Sequence, residues 1–278
     1  MSPPRASIAI KVSPYLAILI AAASLIGILD ATTYVHETAS WAAQGLGQDW
    51  FDLLILAPSL LFASGWTARD AERGGLILGG VLACTLYTFA IYTFSVHFNQ
   101  LFLVYCAIFG LSFYALFELL GRRLAELDVD AQPARERAAG GFLIAMGVLF
   151  AGLWLSEIVP ALARRATPVT LVETGLLTNP VHVLDLSIVL PAFVVAGVAL
   201  VRARPLGQVL APVVASFSVL MALSIAALML VMRLVGVTAD LGVAAAMFTV
   251  AMVSVAVLAH LVRASPAPRV PGDVVRPC

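Results

Sequence analysis

Eight long apolar runs, separated by short polar or charged segments, make up most of the chain. About 20 consecutive apolar residues are enough for a helix to cross the roughly 30 Å hydrocarbon layer of a bilayer. The runs therefore predict an all-α, polytopic membrane protein with about eight transmembrane helices. These helices are predicted over residues 13–29, 51–68, 75–97, 101–120, 141–160, 181–202, 208–232 and 241–262.

Composition agrees with this pattern and excludes several classes of function. Hydrophobic residues make up 62% of the 278 positions and charged residues only 12%, against roughly 25% charged in soluble domains. The formal net charge is zero, which gives no support for binding nucleic acid. The sequence contains no P-loop or HExxH motif. Its only lysine, Lys11, precedes the first apolar run, so retinal attachment within a helix is excluded.

The basic residues predict how the helices are oriented. Placing the N-terminus in the cytoplasm puts thirteen basic residues on the inside and three on the outside, which is the asymmetry expected of a cytoplasmic membrane protein. We therefore expect a multi-pass protein with both termini in the cytoplasm. The three outside residues are Arg164, Arg165 and Arg233.

Four segments describe the predicted organisation of the chain. Residues 1–120 form a first four-helix half, and residues 141–264 form a second. A charged cytoplasmic connector, residues 121–140, joins them. The proline-rich segment 265–278 is predicted to be a disordered cytoplasmic tail.

An internal repeat is predicted from an ungapped alignment of the second and sixth helices. Because each half would begin on the cytoplasmic side and contain four helices, the repeat would be parallel, with its axis along the membrane normal. A recurring Asp, Pro and Arg is less expected by chance than recurring apolar residues. The matches are Asp52, Leu53, Ile55, Pro58, Ala63 and Arg69 with Asp185, Leu186, Ile188, Pro191, Ala196 and Arg202.

Acidic residues and histidines collect at the predicted outer boundary. Ionisable groups at membrane depth are costly and often mark ion or substrate paths. We take five of them as candidate ligand- or proton-binding residues: Asp52, Asp185, His182, Glu157 and Asp30. His182 and Asp185 share a helical face, so they could form a hydrogen bond or supply two ligands of a metal. Two ligands do not make a metal site, and no cofactor, metal or catalytic residue is assigned.

A purely structural interpretation of these acids is also open. Asp49 and Asp52 have the spacing of an N-cap and third-position acid, and Asn179 followed by Pro180 is a good helix start. Capping explains Asp185 less well, because it lies six positions beyond Asn179.

Two prolines, Pro58 and Pro191, lie at matching positions inside their predicted helices. A proline within a helix has no N–H to donate and clashes with the carbonyl four residues earlier, here that of Leu54 or Ser187. Both helices are therefore predicted to bend.

Two segments carry a resemblance to known sequences: NPVHVLDLSIVLP at 179–191 and FNQLFLVYCAIFGLSFYALFELL at 98–120. With them, the chain resembles a group of uncharacterised bacterial multi-pass membrane proteins. The resemblance implies a bacterial cytoplasmic membrane and carries no activity or cofactor with it.

Two hypotheses of function follow. In the first, the two halves enclose an outward-facing acidic cavity that binds or translocates a proton, cation or small solute. In the second, the chain is a non-enzymatic membrane sensor or assembly partner, and the acids only cap helices. A membrane enzyme acting on lipid ranks third. The lipid bilayer is the one partner expected in every case, and the oligomeric state stays open.

Overall fold

The computed structural model describes residues 7–128, 130 and 133–264. Helices account for the secondary structure of these residues, with no strand among them. The predicted tail, residues 265–278, lies outside the described part of the chain, as do positions 129, 131 and 132 of the predicted connector.

Eight helices in the described part of the chain are long and apolar enough to cross a membrane, as predicted. A short helix, Val169–Thr174, lies between the fifth and the sixth. In chain order the eight are α1 (Ile8–Leu29), α2 (Ala39–Arg69), α3 (Ala71–Ser95), α4 (Phe102–Ala125), α5 (Arg137–Arg164), α6 (Pro180–Val201), α7 (Pro205–Leu234) and α8 (Leu241–Ala264).

The largest difference from the predicted boundaries is in α2, which begins twelve residues before the predicted position 51. Thr38 caps it, since its hydroxyl oxygen accepts a hydrogen bond from the backbone N–H of Trp41. The first turns of α2 are rich in polar residues and interrupt the apolar run. At the connector, α4 extends to Ala125 and α5 starts at Arg137, so the interhelical segment is shorter than residues 121–140.

The first four helices form a closed group. Helix α1 packs on α2 and α4, and α3 packs on the same two helices. Helix α7 packs on α2 and α3 of this group, and α6 and α8 also pack on α7. Helix α5 packs mainly on α6. The core therefore runs along α3 and α7.

The least buried helices, α5 and α8, present wide apolar faces to the outside. Among the exposed side chains of α5 are Leu149 and Leu153, and among those of α8 are Phe248 and Met252. Large contiguous apolar faces are rare on soluble monomers and normal where a helix faces lipid tails. The exposed surface therefore agrees with the spanning lengths in indicating a multi-pass membrane protein.

Small residues let several helix backbones approach closely. A Cβ added to Gly80 of α3 would lie 2.6 Å from the carbonyl oxygen of Val213 on α7, and one added to Gly47 of α2 would lie 2.8 Å from Leu228 Cα. Gly140 of α5 and Gly197 of α6 face each other in the same way. Close approach of this kind stabilises helix pairs by van der Waals contact.

Helix α2 contains a π turn over Asp52–Leu56. The backbone N–H of Ala57 bonds to the carbonyl of Asp52, five residues earlier, and Pro58 follows immediately. A proline displaces the normal pairing of the preceding turn. Next to the proline at which a bend is predicted, the helix thus contains a wide turn with one additional residue.

Helix α6 has the same feature at the corresponding position. Its π turn covers Asp185–Val189, the N–H of Leu190 bonds to the carbonyl of Asp185, and Pro191 follows. In both helices the π turn thus begins at the aligned aspartate.

Two aligned glycines at the start of the next helices also have matching environments. A Cβ added to Gly74 in α3 would collide with the backbone of Trp66 and Thr67, and one added to Gly207 in α7 would lie 2.7 Å from the nitrogen of Leu200. Positions 74 and 67 become 207 and 200 when 133 is added, which is also the difference between Asp185 and Asp52. The same helix-turn-helix packing thus occurs at both places.

Replacing either glycine, Gly74→Ala or Gly207→Ala, is expected to lower the free energy of unfolding by about 1–3 kcal/mol, because backbone atoms must move to admit the methyl group. Gly65→Ala in α2 is the control, since nothing lies within 4 Å of its added Cβ. The control should be neutral or gain up to about 1 kcal/mol from helix propensity. Thermal unfolding in detergent measures all three, and equal effects would contradict the packing described.

Candidate functional site

A cavity of about 290 Å³ lies between the first four helices and the last four. Side chains from α2, α3, α5, α6, α7 and α8 form its wall, together with Tyr34, Val96 and Asn179 from the segments between helices. We call one end of the bundle the acidic end; it carries segments 30–38, 96–101, 165–179 and 235–240. The cavity starts at this end. It reaches the middle of α5 and α7. Its size is close to the lower limit for small-molecule sites.

Aromatic, sulfur-containing and aliphatic side chains dominate the wall. A smaller polar set includes amide and hydroxyl groups from α2 and α7. Among the described residues that line the cavity, Asp185 supplies the one carboxyl group, and Lys, Arg and His do not occur. The aromatic members are Tyr34, Trp41, Tyr87, Tyr92, Phe150, Trp154, Phe193 and Phe217.

The half-buried carboxyl group of Asp185 is held on the wall by two donors. The hydroxyl of Tyr87 on α3 donates to Oδ1 at 3.1 Å, and the indole Nε1–H of Trp154 on α5 donates to Oδ2 at 2.8 Å. The π turn that begins at Asp185 places the carboxyl group between these two helices. Three helices therefore fix its position.

Asp52 lies just behind the same wall. It is fully buried, and its Oδ1 accepts a hydrogen bond from Nε2 of Gln48 at 2.7 Å. Oε1 of Gln48 accepts from the hydroxyl of Ser224 on α7 at 2.6 Å. Both Gln48 and Ser224 line the cavity, so one side chain separates Asp52 from it. Its other oxygen, Oδ2, is buried and has no hydrogen-bond partner among the described residues.

Asp49 is a further buried acid, which the sequence analysis did not select. Its Oδ2 accepts from the Tyr34 hydroxyl at 2.6 Å and its Oδ1 from the Tyr92 hydroxyl at 2.9 Å. Both tyrosines line the cavity. Burial, reinforced by the nearby Asp49, raises the pKa of Tyr34 well above its ordinary value, so its hydroxyl keeps the proton that it donates. The signal in the sequence was the three-residue spacing to Asp52, which places both acids on one helical face.

The interpretation of Asp49 and Asp52 as N-terminal capping residues is wrong. Helix α2 begins at Ala39, and both acids lie in its interior. At α6 the predicted start is confirmed, because Oδ1 of Asn179 accepts from the backbone N–H groups of Val181 and His182. Capping therefore accounts for Asn179 and for neither of the aligned aspartates.

His182 is buried and packs against Trp154, with ring centroids 4.6 Å apart and ring planes tilted by 40°. The side-chain donors observed on Asp185 are Tyr87 and Trp154, so the hydrogen bond expected from His182 is not among the contacts of the described residues. The described residues also contain no group of three or more His, Cys, Asp or Glu side chains that could hold a metal ion.

The remaining two candidates, Glu157 and Asp30, lie apart from the cavity lining. Glu157 on α5 accepts from the hydroxyl of Thr170, which ties the short helix Val169–Thr174 to α5. Asp30 ends α1 and accepts from Thr32 and Gln100. The hydrogen bonds from Thr32 hold the pKa of Asp30 below its ordinary value. Both acids order the segments at the acidic end.

No protein-family model, curated protein or solved structure matches this chain. The case for a function therefore depends on the geometry of the cavity and on the positions of Asp185, Asp52 and Asp49.

Replacing Gln48 by the apolar residue of similar length, Gln48→Met, should lower the free energy of unfolding by about 1–3 kcal/mol, because it removes the partner of both Asp52 and Ser224. Gln44→Met is the matched control. Gln44 also lines the cavity, but its observed bond is a long one of 3.4 Å to Ser40 on the same helix. The control should change stability by less than about 0.5 kcal/mol. Chemical unfolding in detergent measures the stability of both variants. An equal loss of stability in the two would contradict the hydrogen bonds described for Gln48.

Proposed function

We propose that this chain is a multi-pass membrane protein whose cavity binds or translocates a proton, a cation or a small solute through Asp185 and Asp52. One observation carries the proposal: among the described residues of an aromatic cavity wall, Asp185 supplies the one carboxyl group, and the fully buried carboxyl group of Asp52 is hydrogen-bonded to Gln48, another residue of that wall. A proton or a cation is the species that such a pair would attract.

The cost of burying carboxyl groups supports a functional role. An acid inside an apolar helix lowers stability unless its charge is neutralised or its oxygens are satisfied. Asp52 keeps one oxygen without a hydrogen-bond partner among the described residues, at a position that apolar residues would fill at lower cost. Since α2 begins far from Asp52, capping does not account for it, and the rival sensor hypothesis loses that support.

We further propose that the acidic end faces outward and that the chain resides in a bacterial cytoplasmic membrane with both termini inside. In this orientation thirteen basic residues lie on the cytoplasmic side and three on the outer side, which supports it.

The two halves are proposed to be parallel repeats. Both π turns start at an aligned aspartate and precede an aligned proline, and the two aligned glycines pack on equivalent backbone atoms. In addition, Gly80 meets Val213, and these positions also differ by 133. Contact between equivalent positions is what a rotation axis between α3 and α7 requires. In this arrangement Asp52 and Asp185 are equivalent residues, of which Asp185 lines the cavity and Asp52 lies behind its wall.

A thermal-shift screen of ions, amines and neutral solutes on detergent-purified protein tests the proposed function. A solute that binds the cavity should raise the unfolding temperature. The double variant Asp52→Asn with Asp185→Asn should bind that solute about tenfold or more weakly, since the carboxylates are lost while the side-chain volumes are kept.

Asp240→Asn is the matched control, because Asp240 is an exposed acid at the same end whose observed role is to accept the backbone N–H of Gly242. It should bind as the unaltered protein does. Equal affinity of all three proteins would assign the buried acids a purely structural role.

Orientation can be measured with a membrane-impermeant maleimide on intact cells that express the protein. Ala166→Cys, placed in the segment 165–179 on a Cys278→Ser background, should be labelled from outside. Cys278 of the unaltered chain should react only after the cells are opened. The reverse pattern would overturn the proposed orientation.

A further inference from the structure

We propose that the ligand of this cavity is a small organic monocation with an apolar body, such as a protonated amine or a quaternary ammonium compound. The inference builds on the proposed function and narrows its ligand class. Its basis is the combination, among the described residues that line the cavity, of one carboxyl group, several aromatic rings and no basic side chain.

Charge disfavours anionic ligands at this site. Arg and Lys are the side chains that hold a carboxylate or phosphate most strongly, and none of the described lining residues is basic. The one carboxyl group, Asp185, would repel an anion. A single positive charge on the ligand matches the single negative charge available on the wall.

The nature of the wall separates organic from inorganic cations. A metal cation replaces its hydration shell with several oxygen ligands, but most of this wall consists of aromatic, aliphatic and thioether groups. An alkylammonium ion is less strongly hydrated and gains from contact with such groups. Aromatic rings attract cations through their electron-rich faces, an effect that grows where water is excluded.

The surroundings of Asp185 place both kinds of contact at one point. Tyr87 and Trp154 each use a polar hydrogen to hold one carboxyl oxygen, and the rings of both residues also line the cavity. Each carboxylate oxygen can accept a further hydrogen bond or ion contact. A cationic head at Asp185 would therefore meet the carboxylate and the aromatic groups together.

The thioether side chains of the wall suit the apolar body of the ligand. Four methionines line the cavity, and their unbranched thioether side chains adapt to ligands of different shape. The site is therefore expected to select ligands by charge and approximate size and not by one exact shape. The four are Met146, Met221, Met229 and Met247.

Two pairs of probes test the inference on the unaltered protein. Choline and 3,3-dimethylbutan-1-ol have the same shape, but only choline is charged. Benzyltrimethylammonium and tetramethylammonium share the charge, but only the first has a large apolar body. Binding is measured by the fluorescence of Trp41 and Trp154, which line the cavity, and independently by thermal shift.

Choline should bind at least about tenfold more tightly than its neutral isostere, and benzyltrimethylammonium at least about tenfold more tightly than tetramethylammonium. Asp185→Asn should abolish the preference for charge, whereas Asp240→Asn should retain it. The comparison of isosteres needs no variant, so it stands even if Asp185→Asn fails to fold.

Three results would overturn the inference. Equal binding of choline and its neutral isostere would remove the role of charge, and tight binding of benzoate would reverse its sign; in both cases the cavity would still be a solute site. Stabilisation by sodium or potassium alone, lost in Asp185→Asn, would replace the organic cation with an inorganic one. If no solute of any class changed fluorescence or stability, the proposed function itself would fail.

Discussion

Polar groups inside an apolar helical bundle must find their partners within the protein, and this constraint determines how the helices of this chain meet. Lipid tails offer no hydrogen bonds, so a buried carboxyl group can take its hydrogen-bond donors only from the protein itself. Asp185 draws α3 and α5 to α6 through Tyr87 and Trp154. Asp52 connects through Gln48 to Ser224, which joins α2 to α7. The cavity is the space between helices that these bonds hold together.

The same bonds explain why the apolar faces of α5 and α8 contribute little to the relative positions of the helices. Those faces have no directional contacts to make and are interchangeable in an apolar solvent. Helices α3 and α7, in contrast, combine close backbone approach with hydrogen bonds to polar side chains of their neighbours, from Tyr87 to Asp185 and from Ser224 to Gln48. Positional specificity in this fold thus comes from a few polar side chains, and the apolar majority supplies the spanning lengths.

Much of the fold followed from hydrophobic run length, and the part that did not has a specific cause. The start of α2 was placed at residue 51 because polar residues interrupt the apolar run before it. Gln48 and Asp49 are polar, yet they point into the protein and not into a loop. A run-length criterion assumes that polar residues lie outside the membrane region, so it fails where a site is built into a helix.

The candidate site was partly foreseen for a related reason. Depth in the membrane identified Asp185 and Asp52, but it identified Glu157 and Asp30 equally, and these two order the segments at the acidic end. Depth gives no information on which face of a helix a residue occupies. Asp49 was passed over because its spacing fitted a helix start, an interpretation that depended on the wrong beginning of α2. At Pro58 the sequence predicted a bend, whereas the structure shows a π turn in the preceding residues.

The π turns determine where the chain can change in length. Removing one residue from Asp52–Leu56 would restore a regular α-helix, since the additional residue of the turn would be gone. The wide turn takes up that residue locally, so the helical segments before and after it would keep the faces that they present to their neighbours. A deletion in a regular stretch of α2 would instead turn everything on one side by about 100° relative to the other, the rotation that each residue of an α-helix contributes. In comparisons among future relatives, single-residue deletions should therefore be tolerated better within these two five-residue segments than elsewhere in α2 and α6.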